Sequence, residues 1–370
     1  MQLNETKAAI WNGKKFELRE TTIYHPEEST IVKVTGAGFC GTDKHMLAHA
    51  NLAKEKSLGH EIFGEIVRIG KKTNSLNGAK LNIGDRVIVT PGVPCNSCHI
   101  CLSYGNHDNL CNHRRAHGFS VYNSSNFFPI GGFSNYIELL DDLWVVRVPD
   151  DISTERAMFA EPLAIAVKAV ERALSGTRCD RDFGPGVAMR AAVVGLGPIG
   201  CSIVYILKSL GAQVLGIDIN QKKAEHVSRV FGIQTSVVPE NSDEAYEMIR
   251  SSNKGSDFDV VIESAGYPKA FELCIHLARK GGKVVEVGHF VPGSLSEIDP
   301  AIICRKELDI VGAALAPAFS YSKVFRLLQQ ENSIDLESLV THNFKLSNLN
   351  SILDLIQTND YIKIHINTQE

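Results

Sequence analysis

The run Ala192-Val193-Val194-Gly195-Leu196-Gly197-Pro198-Ile199-Gly200 constrains the fold more than any other stretch of this 370-residue chain. Three apolar residues enter Gly-x-Gly-x-x-Gly, and a helical pattern follows from Cys201 to Leu210. A second apolar run, Val214 to Ile217, then ends in Asp218. Strand, glycine turn, helix, strand and acid together make a dinucleotide fingerprint. Gly195 permits the tight turn, Gly197 lets backbone approach a pyrophosphate, and Gly200 lets the helix pack on the strand. Pro198 and Ile199 lie in the turn, and the helix that follows offers free N–H groups and a positive end that suit phosphates. Asp218 suits a ribose 2′-OH and repels a 2′-phosphate. Ile219 and Asn220, not Arg or Ser, follow it, so NAD is favoured over NADP. Lys223 is a candidate for the adenosine ribose and reads equally well as a solvated helix lysine.

Strand and helix patterns alternate on both sides of this motif. Ala164 to Leu174 is an amphipathic helix, and Asp182 to Gly186 a turn. Gln221 to Phe231, Asp243 to Ser251 and Ala270 to Arg279 read as helices. Thr235 to Val238, Val260 to Ile262, Val284 to Val287 and Ile310-Val311 read as strands. Such alternation predicts a doubly wound parallel sheet covered on both faces. Tyr321 to Gln330 and Leu349 to Gln357 look helical. The first third is different. Short strand-like runs (Lys7 to Trp11, Ser29 to Thr35, Ile62 to Ile69, Asp85 to Thr90) are punctuated by Gly, Asn and Asp, which predicts an irregular β domain.

Two polar clusters interrupt those strands. In the first, Gly38-Phe39-Cys40-Gly41-Thr42-Asp43-Lys44-His45 is followed by Gly59-His60-Glu61. A thiol and an imidazole are donors that zinc favours. In the second, Cys95, Cys98, Cys101 and Cys111 have the close spacing of a closed, four-thiolate structural zinc site. An iron–sulfur cluster uses similar ligands, at other spacings. Four of the nine cysteines crowd here, so metal ligation is favoured over a disulfide framework. The net charge of -4 gives no electrostatic case for nucleic acid. No apolar run reaches the ~18 residues of a membrane span, and no secretory signal is visible, so a cytoplasmic protein is expected.

These motifs, together with Gly131-Gly132-Phe133-Ser134-Asn135-Tyr136, resemble in kind and order the zinc-dependent medium-chain alcohol and polyol dehydrogenases. The resemblance implies a GroES-like irregular β-barrel catalytic domain at 1–163, with a structural zinc lobe at 91–115. It implies a Rossmann cofactor domain at 164–304, and 305–370 ending that sheet and returning to the catalytic domain. It implies one catalytic and one structural zinc, a homodimer or homotetramer, and a small alcohol, polyol or sugar substrate. Cys40 and His60 would be catalytic ligands, with Thr42 and His45 a proton relay. Glu263-Ser264-Ala265-Gly266 would pass near the nicotinamide and the adenine ribose edge, Ala265 among its contacts.

Two features depart from the family. Nine residues separate Cys101 from Cys111 where seven are usual. Glu161 stands where alcohol dehydrogenases of the Cys2His type place a second cysteine, as in sorbitol, threonine and sugar dehydrogenases. The third catalytic ligand is therefore Glu61 or Glu161, and the residues leave both open. The expected reaction is reversible NAD(P)-linked oxidation of a secondary alcohol to a ketone. Zinc-free enone or quinone reduction on the same fold is opposed by Cys40, His60 and the cysteine lobe. A non-catalytic NAD(H)-binding zinc protein is opposed by the Thr42–His45 pair. The segments 47–52, 113–122 and 290–296 are expected to line the substrate pocket. His113, Arg114, Arg115 and His117 could bind a phosphate or a carboxylate, but read more readily as a solvated basic loop.

Overall fold

The computed structural model describes residues 5–22, 28–48, 55–71, 73–76, 78–105, 108–118, 131–176, 188–253, 257–289, 295–330 and 333–369. The turn expected at 182–186 lies outside them, as do 49–52, 119–122 and 290–294 of the expected pocket segments. The chain divides into two compact units. One comprises Met1–Ala164, Ala316–Gln330 and Val340–Glu370; the other comprises Ile165–Leu315 and Glu331–Leu339.

In the first unit a mixed sheet runs Val340–Lys345, Lys363–Asn367, Ile31–Phe39, Glu61–Arg68, Arg86–Val89, Trp144–Arg147 and Asn74–Ser75. A three-stranded sheet has Glu5–Trp11 between Phe16–Thr22 and Lys56–Ser57. Alternation buries Val32, Val34, Ile62, Ile66, Val87 and Val89 in one core. A second core gathers Trp11, Phe16, Phe39 and Phe133 with Ile352, Ile356, Ile364 and Ile366 from the end of the chain. Register fixes what matters for chemistry. Gly38 stands opposite Glu61 on one side and His365 on the other. The end of Ile31–Phe39 thus meets the beginnings of Glu61–Arg68 and Lys363–Asn367 at one edge.

The second unit contains a six-stranded, all-parallel sheet. Its order is Gln234–Val237, Gln213–Asp218, Arg190–Val194, Phe258–Glu263, Ala278–Glu286 and Asp309–Gly312. In chain order that is third, second, first, fourth, fifth, sixth, with the switch point beside the first strand, where dinucleotides bind. Pro198–Ser209 and Gln221–Phe231 follow the first two strands. Val194, Ile217, Val261 and Val284 share a core with Leu273 and Ile275.

Three expectations need adjustment. Ala278 and Arg279 begin a strand rather than end a helix, because the helix stops at Leu277 and Ala278 takes extended angles. Leu349 to Gln357 is not one helix: a 3-10 segment, Leu346–Ser351, kinks at Asn348 before Ile352–Thr358. Its Asn350 side chain instead bonds the backbone N–H and C=O of Phe16, the kind of competition that unsettles helices. The strands Phe16–Thr22 and Val340–Lys345 were not anticipated, since polar residues interrupt both.

The glycine turn is sterically enforced. Gly195 has φ +94°, and a Cβ there would lie 2.6 Å from Ala265 N. At Gly200 a Cβ would lie 1.9 Å from the Gly195 carbonyl oxygen and 2.9 Å from Ser264 Oγ. Gly200→Ala is therefore expected to destabilise the fold by about 1–3 kcal/mol, because neither backbone can yield without opening the turn. A matched loss of dinucleotide affinity should accompany the lower melting temperature. Wild-type affinity in a folded variant would count against this account of the turn.

Candidate active site

Cys40 follows the strand Ile31–Phe39, and the helix Gly41–Ala48 begins directly after it. Asp43, fully buried, ties this corner together. Its Oδ2 accepts from Cys40 N at 2.9 Å and its Oδ1 from Gly59 N at 3.2 Å. The same Oδ1 lies 3.7 Å from His60 Nδ1. Asp43 thereby fixes both loops that carry Cys40 and His60. Cys40 Sγ, a His60 ring nitrogen and a Glu61 carboxylate oxygen lie within 4.8 Å of one another. Thr42 Oγ1 is 3.9 Å from Cys40 Sγ. Thr42 and His45 stand three residues apart on the helix, hence on neighbouring turns of one face.

The centre also holds a residue that the sequence did not suggest. Lys363, buried at the start of the C-terminal strand, pairs with Glu61 Oε2. A Cβ on Gly38 would occupy the same space, 1.7 Å from Glu61 Oε2 and 2.6 Å from Lys363 Nζ. Desolvation pulls Lys363 down to about 8, against the pull of Cys40 and Asp43. Burial alone would press His60 down as well, but Asp43 beside it outweighs that and holds the imidazole well above its ordinary range. The corner thus attracts positive charge. Glu61 Oε1 is buried with no hydrogen-bond partner among the described residues. A sulfur, a nitrogen and a free carboxylate oxygen in an electronegative pocket fit zinc.

Glu161 lies in the first turn of the helix Ala160–Leu174 and is buried, but it is outside that group of three. Burial raises its carboxyl above the ordinary range, with His60 and Arg114 pulling the other way. The structure therefore places Glu61 within ligand reach of Cys40 and His60, and Glu161 within electrostatic reach of His60.

The cysteine lobe also fits a metal. Sγ of Cys95, Cys98, Cys101 and Cys111 lie within 4.8 Å of one another. Cys98 Sγ is 3.5 Å from Cys101 Sγ and 4.0 Å from Cys111 Sγ. Zinc–sulfur bonds of about 2.3 Å in a tetrahedron put sulfurs roughly 3.8 Å apart. Backbone N–H groups of Cys95 and His113 point at Cys111 Sγ, and that of Cys98 at Cys95 Sγ. Hydrogen bonding from Ser97 lowers the Cys95 thiol to about 5, while desolvation pushes Cys101 up to about 12. The lobe can hold some thiolates unaided but needs a cation to hold four. The nine residues between Cys101 and Cys111 still leave all four Sγ atoms together, as the weak dependence of loop closure on length allows.

In the second unit, Gly197 caps the helix Pro198–Ser209, with Pro198 in its first turn and Ile199 and Gly200 following. Asp218 ends the second strand and binds the turn itself: Oδ2 accepts from Leu196 N at 2.7 Å and Oδ1 from Asn220 N at 2.8 Å. Ala265 abuts Gly195. Lys223 is buried, so the solvated alternative falls away.

Beside this turn lies a cluster that sequence reading missed. Glu263 is fully buried, and its Oε1 accepts from Ala265 N and Gly266 N at 2.8 Å. Its Oε2 is 3.7 Å from His289 Nδ1, which lies 3.0 Å from Glu286 Oε1. Burial, then the neighbouring Glu286, pushes Glu263 well above the usual carboxylate range. A carboxyl raised on folding contributes stability below its ordinary value and loses it as pH rises through the raised one. Gln keeps the two acceptor bonds and the neutral form. Glu263→Gln is thus expected to melt a few degrees above wild type near about pH 8, with the gap closing toward about pH 5. The same difference at both pH values would refute the shift.

No helix among the described residues is long and apolar enough to cross a membrane.

Residues 26–150 match the family described as "Alcohol dehydrogenase GroES-like domain", and residues 198–330 that described as "Zinc-binding dehydrogenase". The chain is 31% identical to L-galactonate-5-dehydrogenase of Escherichia coli over 97% of its own length and 96% of that protein. It is 27% identical to L-idonate 5-dehydrogenase (NAD(P)(+)) of the same organism, over 85% and 84%. The crystal structure of an alcohol dehydrogenase from Thermotoga maritima superposes with a TM-score of 0.85 at 22% identity, covering 99% of this chain and 100% of that one. The likeness spans both units and the cysteine-bearing loops, and this chain belongs to the zinc-dependent medium-chain alcohol and polyol dehydrogenase family.

Proposed function

We propose that this enzyme uses NAD to oxidise a secondary alcohol of a polyol or sugar-derived substrate to a ketone, with Cys40, His60 and Glu61 holding its catalytic zinc. The convergence of those three donors at one sheet edge is the observation that carries the reading. Zinc, when bound, supplies the Lewis acidity that makes an alcohol hydroxyl acidic near neutral pH, and nicotinamide supplies the hydride acceptor. The chain does the rest. Asp43 orients His60 and anchors the Cys40 turn. Lys363 balances the charge of Glu61 and holds its Oε2. Thr42 takes the substrate hydroxyl proton and His45 carries it outward. Glu161 is a second carboxylate facing His60. Cys95, Cys98, Cys101 and Cys111 hold the structural zinc and take no part in chemistry.

In the cofactor unit, Gly195, Gly197, Pro198, Ile199 and Gly200 receive the pyrophosphate, and Ala265 borders it. Asp218 and Lys223 receive the adenosine ribose. Asp218 also favours NAD over NADP, since its charge opposes a 2′-phosphate. The relatives named for galactonate and idonate support a sugar-derived substrate. Cysteines that are free thiols among the described residues support a reducing, cytoplasmic setting. A homodimer or homotetramer is the proposed assembly.

A screen of secondary alcohols, polyols and sugar derivatives with NAD and with NADP tests the reading by NADH or NADPH formation. Turnover should favour NAD, disappear on dialysis against a chelator, and return with zinc. Undiminished turnover after complete removal of metal would sink it, as would no turnover of any alcohol by zinc-loaded, NAD-binding protein.

A further inference from the structure

Arg114 does not behave as part of a solvated basic loop. Its guanidinium packs over Gly92, where a Cβ would lie 2.3 Å from both Cζ and Nε. Nε and Nη1 are buried and find no hydrogen-bond partner among the described residues. Tyr321, on the helix Ala318–Gln330, is fully buried, and its hydroxyl likewise finds none among those residues. The two groups interact electrostatically with each other and with Glu161, and Glu161 interacts with His60. Asp108, the other nearby carboxylate, directs both oxygens to the Ala318 N–H at 3.1 and 3.2 Å.

A buried guanidinium with unfilled donors is costly unless something anionic completes it. Its planar donors match a carboxylate or a phosphate better than any neutral group. Glu161 connects this spot to the Cys40–His60 corner. We propose that Arg114 and the Tyr321 hydroxyl form an anion subsite within the active site. The substrate is then an anionic polyol, with its carboxylate or phosphate on Arg114 while one of its hydroxyls is oxidised. The proposal rests on the dehydrogenase reading above and narrows its substrate class. Neutral polyols would leave the guanidinium unfilled, and such sites discriminate strongly against a substrate that lacks the expected group.

The test compares kcat/KM, with NAD, for a six-carbon aldonate, the matching neutral polyol and the matching sugar phosphate. Wild type should prefer one of the two anions over the polyol by about 100-fold, and which one it prefers identifies the charged group. Arg114→Leu, similar in size and uncharged, should bring that ratio close to one. Arg114→Lys, which keeps the charge without the planar fork, should fall between. A wild-type preference for the neutral polyol, or an unchanged ratio in Arg114→Leu, would overturn the proposal and leave Arg114 as a counter-charge to Glu161. If the Leu variant does not fold, the Lys variant decides by the same ratio. If no alcohol is turned over at all, the dehydrogenase reading fails separately. Equilibrium dialysis of the aldonate and the sugar phosphate against the zinc-loaded protein then decides the subsite. Saturable binding that is weakened in Arg114→Lys and lost in Arg114→Leu supports it, and absence of binding, or binding unchanged in both variants, rejects it.

Discussion

Cys40→Ser is expected to lower kcat/KM by on the order of 10³-fold, because a zinc ion contributes several kcal/mol of charge stabilisation at the reacting oxygen. A serine hydroxyl nearly matches the thiol in size but is a poor zinc donor. The local fold should survive, since Asp43 holds this corner through the backbone N–H of residue 40 and not through its sulfur. The zinc content should fall by one equivalent per chain, leaving the lobe loaded, and the melting temperature should change little. Activity above a tenth of wild type with one zinc missing would show that the catalytic metal is not held at Cys40.

Cys98→Ser should act on stability. Among the described residues the lobe has few other ties: a five-residue helix, His99–Ser103, a three-residue 3-10 turn, and the two-residue strands Gly92–Val93 and Arg115–Ala116 paired at its base. Leu102, Tyr104 and Leu110 are exposed rather than packed. On the proposed reading a closed zinc site takes the place of a hydrophobic core here, and such sites contribute apparent binding energies of about 10–16 kcal/mol in isolated peptides. Even a fraction of that, about 4 kcal/mol, should lower the melting temperature by roughly 10 °C. Proteolysis should open first between residues 91 and 115. The lobe also reaches the helix Ala318–Gln330 through the bond from Ala318 N to Asp108, so loosening should spread to Tyr321 and Arg114. An unchanged melting temperature and cleavage pattern in a zinc-depleted lobe would show that the metal is not its core.

The parts of this molecule that sequence made legible are those whose chemistry is local. The thiols from Cys95 to Cys111 and the glycines from Gly195 to Gly200 do their work within one turn or loop, so spacing alone reveals them. The parallel sheet was legible because apolar runs and amphipathic helices alternate. Lys363 was not. Its partner lies 302 residues away, and a lysine in a strand is normally read as solvent-facing. Asp43 was visible as a member of a motif, but its hold on the loops of both Cys40 and His60 depends on a fold-level approach of Gly59. Arg114 was legible only as one of two readings, because neighbouring basic residues suggest a wet surface and the packing of its guanidinium over Gly92 is not local in sequence. That Glu61 rather than Glu161 groups with Cys40 and His60 follows from the register that sets Gly38 opposite Glu61, which no composition records.

The pairing of Lys363 with Glu61 bears on how the protein is born. On the ribosome, Cys40, His60 and Glu61 emerge early, yet their counter-charge follows only after the whole parallel-sheet unit has been synthesised. Until then the nascent corner carries excess negative charge and an unmatched strand edge, the kind of exposed intermediate that aggregates or captures ions prematurely. Maturation of the centre is therefore a late event, and chaperone dependence or metal misincorporation should be greatest in chains stalled before residue 363.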